Sequence, residues 1–422
     1  MDNCGSELEE ESRRRRGGGE SRRERVRPHP TSPALLPDDD DILAEILLRL
    51  PPHPSSLPIA GAVCKRWRRI VTDPSFLRRF RHQTLPPLHG FFLRSGRFFP
   101  TQHPPDRVPP WRFSLDQLCH EPHAHRRWSI LCSRHGLVLL CCSKAAGEFL
   151  VVHPMTGHRR RVAIADEHKQ HSLIAAAVVG VGVAGDDDDD AGCRPFTLVA
   201  LLAHDGSGET TRLTASVYSS DSGIWSESVS TVFLQCRVRV VPIIQPSSLV
   251  GHGLYWLLFD GSILRFDVVT QSLVRIEEQP SRLTTTAVDA EHDEFIFRHW
   301  NNCRRWIMPA SGDDGHRFCL AILSGVSITF WEREEVVEEV RGASSSEWVL
   351  CRTVELDKAL PVQLKEKGHP LPLGIMGFDE ESRVIFICTR RDGVFMSDVK
   401  SMRFKKVSET AYFGNAHPYS SF

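Results

Sequence analysis

Residues 36–80 read LPDDDDILAEILLRLPPHPSSLPIAGAVCKRWRRIVTDPSFLRRF, and the apolar pattern in this stretch decides its fold. Large aliphatic residues recur at spacings of one, three and four over residues 42–50, which indicates the buried face of an amphipathic helix. Carboxylates at residues 38–41 precede that face, where the N-terminus of a helix favours negative charge. Two prolines at 51–52 then end the helix, because proline lacks the N–H that a helical hydrogen bond needs.

Two further helices follow in the same stretch. Ser55 or Ser56 can cap a second helix, and the pair Asp73-Pro74 begins a third, with proline in the first helical turn. Three helices within about 45 residues make a poor independent core, since domains this small usually need a partner, a metal or a disulfide. The sequence therefore predicts a short helical domain over residues 34–81 that completes its core on another protein.

Residues 1–33 are rich in Glu, Arg and Gly and carry almost no large apolar side chains. Such a segment cannot bury enough apolar surface to offset the entropy of ordering it, so we expect it to be disordered. The four arginines at residues 13–16 fit a nuclear import signal. Glutamates interspersed with the arginines fit a plain solvated tail equally well, and both interpretations stay open.

Residues 82–422 lose the helical period and show short apolar runs separated by Gly, Asp, Asn, Ser and Pro, which is typical of an all-β domain. A weak repeat of strand, polar turn and strand recurs four times, and repeated hairpins favour the blades of a β-propeller. At about 40–50 residues a blade, this domain predicts six to eight blades. The clearest predicted strands are residues 130–142, 149–153, 196–202, 213–218, 254–259, 263–267, 295–299, 318–323, 326–331, 348–354, 384–388 and 394–396.

The overall composition favours a protein of the cytoplasm, the nucleus or both. The chain has 12 cysteines scattered over 422 residues, which suits a reducing compartment better than a disulfide scaffold. No apolar run is long enough to cross a bilayer, which takes about 20 residues. The formal net charge of −1 gives no overall attraction to nucleic acid or to an anionic membrane.

Two sequence motifs resemble chemical sites, but neither has the surroundings that such a site needs. The G-x-G-x-x-G pattern at 180–185 is followed at once by five aspartates, whose charge would repel the pyrophosphate of a dinucleotide. Cys119 with His123 and Cys132 with His135 supply zinc-ligand types, but their spacing fits no common zinc finger. We therefore predict no catalytic residues, no cofactor and no metal.

As an ordered set, these helical landmarks resemble an F-box. The remainder of the chain resembles, more diffusely, the F-box-associated, propeller-like domain of plant F-box proteins, especially those expanded in grasses. The fold class this implies is α plus all-β in two domains, with a short three-helix F-box before a β-propeller-like domain. The second resemblance is carried by residues 254–257, 260–267, 348–350, 374–379 and 400–407.

The resemblance implies the substrate-recognition subunit of an SCF-type ubiquitin ligase, with no chemistry of its own. The F-box would bind the Skp adaptor, and through it the cullin and RING subunits, while the β-domain would hold an unknown target protein. The second helix departs from the family at Ile59 and at residues 61–62, which implies weaker adaptor binding. The residues that would form or support the adaptor-facing surface are Leu36, Pro37, Ile42, Leu43, Ile46, Leu50, Val63, Cys64 and Trp67.

Two other functions remain open on the sequence. One is a β-propeller enzyme or sugar-binding protein with an incidental helical segment, which would need polar or metal-binding groups that converge on the central channel. The other is nucleic-acid binding through the arginine-rich tail and residues 65–69, which the near-neutral net charge disfavours.

Overall fold

The computed structural model describes residues 40–422 apart from 143–147, 167–170, 182–194, 205–209, 227–229, 235–244, 259–261, 277–303, 311, 313–316, 338–343, 367–368, 371–372 and 411–413. The tail expected over residues 1–33 lies outside the described residues, as do Leu36 and Pro37. The strand expected at 295–299 also lies outside them, and each of the other predicted strands overlaps an observed one.

Four helices form the N-terminal domain, where three were expected: α1 (Asp40–Leu47), α2 (Ser56–Val63), α3 (Lys65–Val71) and α4 (Pro74–Gln83). The predicted second helix is in fact two, because Cys64 is extended (φ −160°, ψ 169°). The Cys64 sulfur accepts a hydrogen bond from the Trp67 N–H at 3.5 Å and so caps the start of α3.

The start of α4 confirms the predicted cap. The carboxylate of Asp73 accepts hydrogen bonds from the N–H groups of Ser75 at 2.9 Å and Phe76 at 3.2 Å. These bonds satisfy two of the N–H groups that a helix start leaves without partners. The four helices bury one shared apolar core, whose members are Leu43, Leu47, Leu48, Ala60, Ile70, Val71, Phe76 and Phe80.

The rest of the described chain is almost entirely β-structure, with two short helices, α5 (Leu115–Cys119) and α6 (Leu356–Ala359), and two 3-10 turns, Pro110–Phe113 and Ala124–Arg126. The strands are β1 (Leu88–Leu93), β2 (Phe98–Pro100), β3 (Trp128–Arg134), β4 (Leu137–Cys142), β5 (Glu148–His153), β6 (His158–Ala163), β7 (Ser172–Gly180), β8 (Phe196–His204), β9 (Thr211–Ser219), β10 (Ser230–Leu234), β11 (Ser248–Val250), β12 (Gly253–Leu257), β13 (Ile263–Asp267), β14 (Ser272–Ile276), β15 (Arg305–Pro309), β16 (Phe318–Ser324), β17 (Ser327–Val337), β18 (Ser344–Glu355), β19 (Lys365–Glu366), β20 (His369–Pro370), β21 (Leu373–Asp379), β22 (Val384–Thr389), β23 (Gly393–Asp398), β24 (Lys405–Ser408) and β25 (Ala416–Ser420).

These strands form a six-bladed β-propeller within the described residues. Blades 2 to 6 are the four-stranded sheets β3–β6, β7–β10, β11–β14, β15–β18 and β21–β24, while β19 and β20 pair separately. Blade 1 has the order β2-β1-β25, so a strand from the far end of the sequence completes the first sheet. The blade count falls at the lower end of the predicted range of six to eight.

The propeller core lies between neighbouring blades. Six apolar clusters each join two adjacent blades around the ring, for example Phe149 with Phe196 between blades 2 and 3. Since both faces of a blade are buried, the inner strands carry continuous apolar runs rather than an alternating pattern. This explains why stretches such as Val384–Thr389 are so uniformly hydrophobic.

The weak sequence repeat marks one position in the blades. It falls on the turn between the third and fourth strands of blades 2, 3, 4 and 6. In blade 4 the Asp267 carboxylate accepts the Thr270 N–H at 2.9 Å, and in blade 6 Asp398 accepts the Ser401 N–H at the same distance. A short polar side chain thus holds the turn, which is why Asp or His recurs there.

Candidate functional site

The predicted adaptor-facing residues are divided by the fold into exposed and buried groups. Ile42 and Ile46 are 50% and 48% exposed, Val63 is 57% exposed, and Cys64 is exposed as well. The other described residues of the set are turned inward. Leu43 is fully buried, and Leu50 and Trp67 are half-buried against the same core.

Two pairs of exposed aliphatic side chains, Ile42 with Ile46 on α1 and Ile59 with Val63 on α2, are together called the apolar helix face. The first two are four residues apart on α1, and the last two are four residues apart on α2, so each pair lies on one side of its helix. Ile59 is 61% exposed and was missed as a site residue. The spacing of four residues between Ile59 and Val63, which places both on one side of a helix, is the sequence signal that identifies it.

The buried side of the same helices fixes the apolar helix face in place. Leu43 and Leu47 are each 1% exposed and pack with Phe76 and Phe80 of α4. Burying a leucine contributes about 1.5–3 kcal/mol, so this side holds the helices together. Large aliphatic side chains that stay exposed beside such a core make this face a candidate interaction surface.

Charged contacts tie α1 to its neighbours. Arg66 of α3 donates to the Asp40 carboxylate at 2.6 Å, and Arg69 also pairs with Asp40. The hydrogen bond from Arg66 lowers the pKa of the Asp40 carboxyl below its ordinary value. Glu45 on α1 pairs with Arg79 on α4. These contacts orient α1, although exposed ion pairs add little stability.

The helices also contact the propeller. The Ser55 N–H, just before α2, donates to the carboxylate of Asp106 in the loop after β2 at 2.7 Å. Only residues 84–87 separate α4 from β1, and four residues span at most about 15 Å. The apolar helix face is therefore carried close to the ring.

A second candidate site lies in the central channel. Arg134, at the end of β3, pairs with Glu380, which follows β21, through Nε–Oε2 at 2.6 Å and Nη2–Oε1 at 2.8 Å. The same guanidinium donates to the carbonyls of Val178 at 3.3 Å and Ser247 at 2.8 Å. One buried side chain thus connects blades 2, 3, 4 and 6.

The polar groups that converge there surround little space. The cavity has a volume of about 30 Å³, which is room for about two water molecules. A sugar ring does not fit in that volume. Among the described residues, no three His, Cys, Asp or Glu side chains lie together in a way that could hold a metal ion.

Replacing Arg134 by Leu is expected to lower the free energy of unfolding by about 3–5 kcal/mol, since it leaves the Glu380 carboxylate buried and unpaired. Arg161→Leu is the matched control, because Arg161 pairs with Glu121 and Glu148 while 49% exposed and such pairs are worth about 1 kcal/mol or less. Urea titration followed by tryptophan fluorescence measures both. Equal losses of unfolding free energy in the two variants would contradict the stabilising role given to the Arg134–Glu380 pair.

Glu381 predicts a pH-dependent stability. Its Oε1 accepts the His135 N–H at 3.1 Å, and burial, reinforced by Asp379 and Glu380, raises its pKa from 4.5 to about 8. Between these values the folded chain holds a proton that the unfolded chain has lost. The contribution of Glu381 to unfolding free energy therefore falls as pH rises from about 5 to 8, by on the order of 1 kcal/mol per pH unit.

Glu381→Gln should remove this dependence, because Gln keeps an oxygen for the His135 N–H and does not titrate. Urea midpoints of both proteins at pH 5, 6, 7 and 8 measure it. We expect the urea midpoint of the variant to rise relative to that of the unmodified chain at each step of increasing pH. Parallel pH profiles would show that the Glu381 carboxyl is not protonated in the folded state.

Comparison with known proteins agrees with this geometry. Residues 34–83 match the F-box-like family model. The chain is 26% identical over 247 residues to the F-box/kelch-repeat protein At3g61590 of Arabidopsis thaliana, covering 58% of this chain and 56% of that one. It is 27% identical over 197 residues to F-box only protein 13 of the same plant, covering 45% and 38%. The chain thus spans about half or less of the length of these relatives.

The class that the fold and this match define is an F-box-like helical domain followed by a six-bladed propeller. More particularly, the chain fits a plant F-box protein with a propeller domain, so the family and the fold class expected from sequence are confirmed. Among solved structures, BamB from Moraxella catarrhalis is 13% identical over 68% of this chain and 65% of its own, with a TM-score of 0.28. That score is too low to carry an argument.

Among the described residues, no helix has the length and apolar character needed to cross a bilayer.

Proposed function

We propose that this chain is the substrate-recognition subunit of an SCF-type ubiquitin ligase. In this role residues 34–81 bind the Skp adaptor, which connects to the cullin and RING subunits, and residues 82–422 hold the target protein. The chain itself performs no catalysis and brings the target close to the enzyme that transfers ubiquitin. We place it in the cytoplasm, the nucleus or both.

The observation that carries this proposal is the apolar helix face. Its four aliphatic side chains are about half or more exposed, although they belong to a domain with a closed core of its own on the opposite side. Four such residues, if fully covered, contribute on the order of 5–10 kcal/mol before the costs of association. A partner protein that covers them explains why the sequence keeps them apolar.

The cavity in the channel favours a binding role over the alternative of a propeller enzyme or sugar-binding protein. Its polar side chains bond mostly to one another and enclose about 30 Å³. The Arg134 guanidinium, which could otherwise bind a substrate, is committed to Glu380 and to backbone carbonyls. No specific observation supports nucleic-acid binding as a second function.

The test is binding of the purified full-length chain to purified Skp adaptor, measured by calorimetry and by co-elution on size exclusion. We expect a one-to-one complex that then takes up the cullin and RING subunits. A chain that lacks residues 34–83 is expected not to bind. Failure of the folded full-length chain to bind any Skp adaptor of a plant host would refute the proposal.

A further inference from the structure

The channel cavity lies where the turns between first and second strands of blades 2 and 6 approach each other. It is partly open to solvent, and residues from five blades line it. They include Ser133 from blade 2, Ser248 from blade 4, Trp306 from blade 5, Glu381 from blade 6 and His417 from blade 1. The site therefore exists only in the closed ring.

Three buried polar groups on this cavity have no hydrogen-bond partner within the described part of the chain. They are the Oγ of Ser133, the Oε2 of Glu381 and both ring nitrogens of His417. The His417 side chain is the most enclosed, since the residue is only 4% exposed. A buried polar atom without a partner costs about 1–3 kcal/mol, so these groups together indicate a ligand that satisfies them.

The partnerless groups are mainly acceptors. Burial lowers the pKa of His417 to about 3, so its ring is neutral at physiological pH and presents one acceptor nitrogen. The Oε2 of Glu381 adds a second acceptor once a cation displaces the proton that this carboxyl holds below about pH 8, and the hydroxyl of Ser133 adds a third. Three residues with acceptor groups thus line one small cavity.

The carboxyl groups on the cavity outnumber the guanidinium groups. Asp379, Glu380 and Glu381 bring three carboxyl groups, and Arg134 is the cation paired among them. Asp379 accepts hydrogen bonds from Ser382 and, at 3.0 Å, from Ser420. Burial raises the pKa of the Asp379 carboxyl too. A cation bound beside Glu381 would take the place of the proton that this carboxyl holds below about pH 8.

We propose that this cavity binds an ammonium group, either the free ion or the end of a small primary amine. An ammonium group brings one positive charge and three N–H donors or more. Three donors match the acceptors of Ser133, Glu381 and His417, and the positive charge replaces the proton that Glu381 releases. The volume of about 30 Å³ accepts a group the size of a water molecule.

The side chains on the cavity as a set favour a cation with N–H donors over a metal ion. Trp306 and Phe378 line it, and aromatic rings attract cations across their faces. Potassium and other hard cations bind through oxygen and have no proton to donate to an imidazole nitrogen. The described His, Cys, Asp and Glu side chains form no group of three placed for a metal. This proposal does not depend on adaptor binding by the helices.

The experiment is calorimetric titration of the full-length chain with ammonium chloride at constant ionic strength. Potassium chloride and tetramethylammonium chloride are the comparison salts, because they carry the same charge without N–H donors. We expect saturable binding of ammonium and none of the other two. Methylammonium and butylammonium then distinguish the source: if they bind, the site takes amines, and if only ammonium binds, it takes the free ion.

Variants locate the site. Ser133→Ala and Glu381→Gln are each expected to weaken ammonium binding about tenfold or more, while Glu409→Gln, whose side chain is 85% exposed on blade 6, leaves it unchanged. Ser133→Ala is the smallest change and tests the site even if Glu381→Gln disturbs folding. Equal responses to all the salts, no binding of ammonium, or binding that Ser133→Ala leaves intact would show that the cavity holds water alone.

Discussion

Replacing Ile46 by Asp is expected to abolish capture of the Skp adaptor while the propeller stays folded. Ile46 is 48% exposed on α1 and does not belong to the helical core, so the free chain tolerates a polar residue there. Once the partner covers it, the carboxylate loses its water without gaining a counter-charge. Such a penalty of several kcal/mol weakens binding by about a thousandfold.

Two further variants make this result interpretable. Val274→Asp is the matched control, because Val274 on β14 is also β-branched and also 48% exposed, but lies on the propeller. It should bind the adaptor as the unmodified chain does. Leu43→Asp should lose binding for another reason, loss of the helical core, which circular dichroism reports as lost helicity. Adaptor binding by a folded Ile46→Asp protein would contradict the proposal that the apolar helix face binds the adaptor.

Deleting residues 416–422 is expected to abolish cooperative unfolding of the propeller. The deletion removes β25, which pairs with β1 along its whole length. It also removes Tyr419, which is fully buried and packs against Phe92 and Phe113. Loss of one buried aromatic side chain costs about 3–5 kcal/mol, and the deletion in addition leaves blade 1 without its inner strand. The summed loss of unfolding free energy approaches the whole stability of an ordinary domain, about 5–15 kcal/mol.

Urea titration monitored by tryptophan fluorescence and near-ultraviolet circular dichroism measures this effect. Tyr419→Ala is a graded version that should lower the unfolding free energy by about 3–5 kcal/mol. Phe422→Ala is the control, since Phe422 is 36% exposed and lies beyond β25. An unchanged midpoint in the deleted chain would mean that the ring does not need this strand.

The sequence predicted the helical domain well because its signals are local. The apolar period, the proline stop and the Asp73 cap all act within a few residues, and each is present in the structure. The break at Cys64 was missed, since a single extended residue leaves the apolar pattern intact. Sequence also could not separate Ile46 from Leu43 or Leu47, because the apolar residues cover too much of the helix to show which side meets the core.

The long-range contacts of the propeller could not be predicted, because sequence signals of this kind act only between residues that are close in the chain. The repeated turns gave the class of fold, and the blade count was predicted as a range. Nothing near Arg134 in the sequence indicates Glu380, which is 246 residues away, and nothing near Leu88 indicates Ser420 as its partner. The channel cavity depends on such pairings, so its three partnerless acceptors could be found only in the structure.

The position of β25 in blade 1 sets an order of events during synthesis. It follows the other twenty-four described strands along the chain, so a ribosome delivers five whole blades before the first can be completed. The four helices leave the ribosome much earlier and can fold on their own local signals. In the role proposed above, a nascent chain would present its adaptor-binding helices while its target-holding ring is still open, and a chain that stops between residues 88 and 415 would keep these helices without a closed ring.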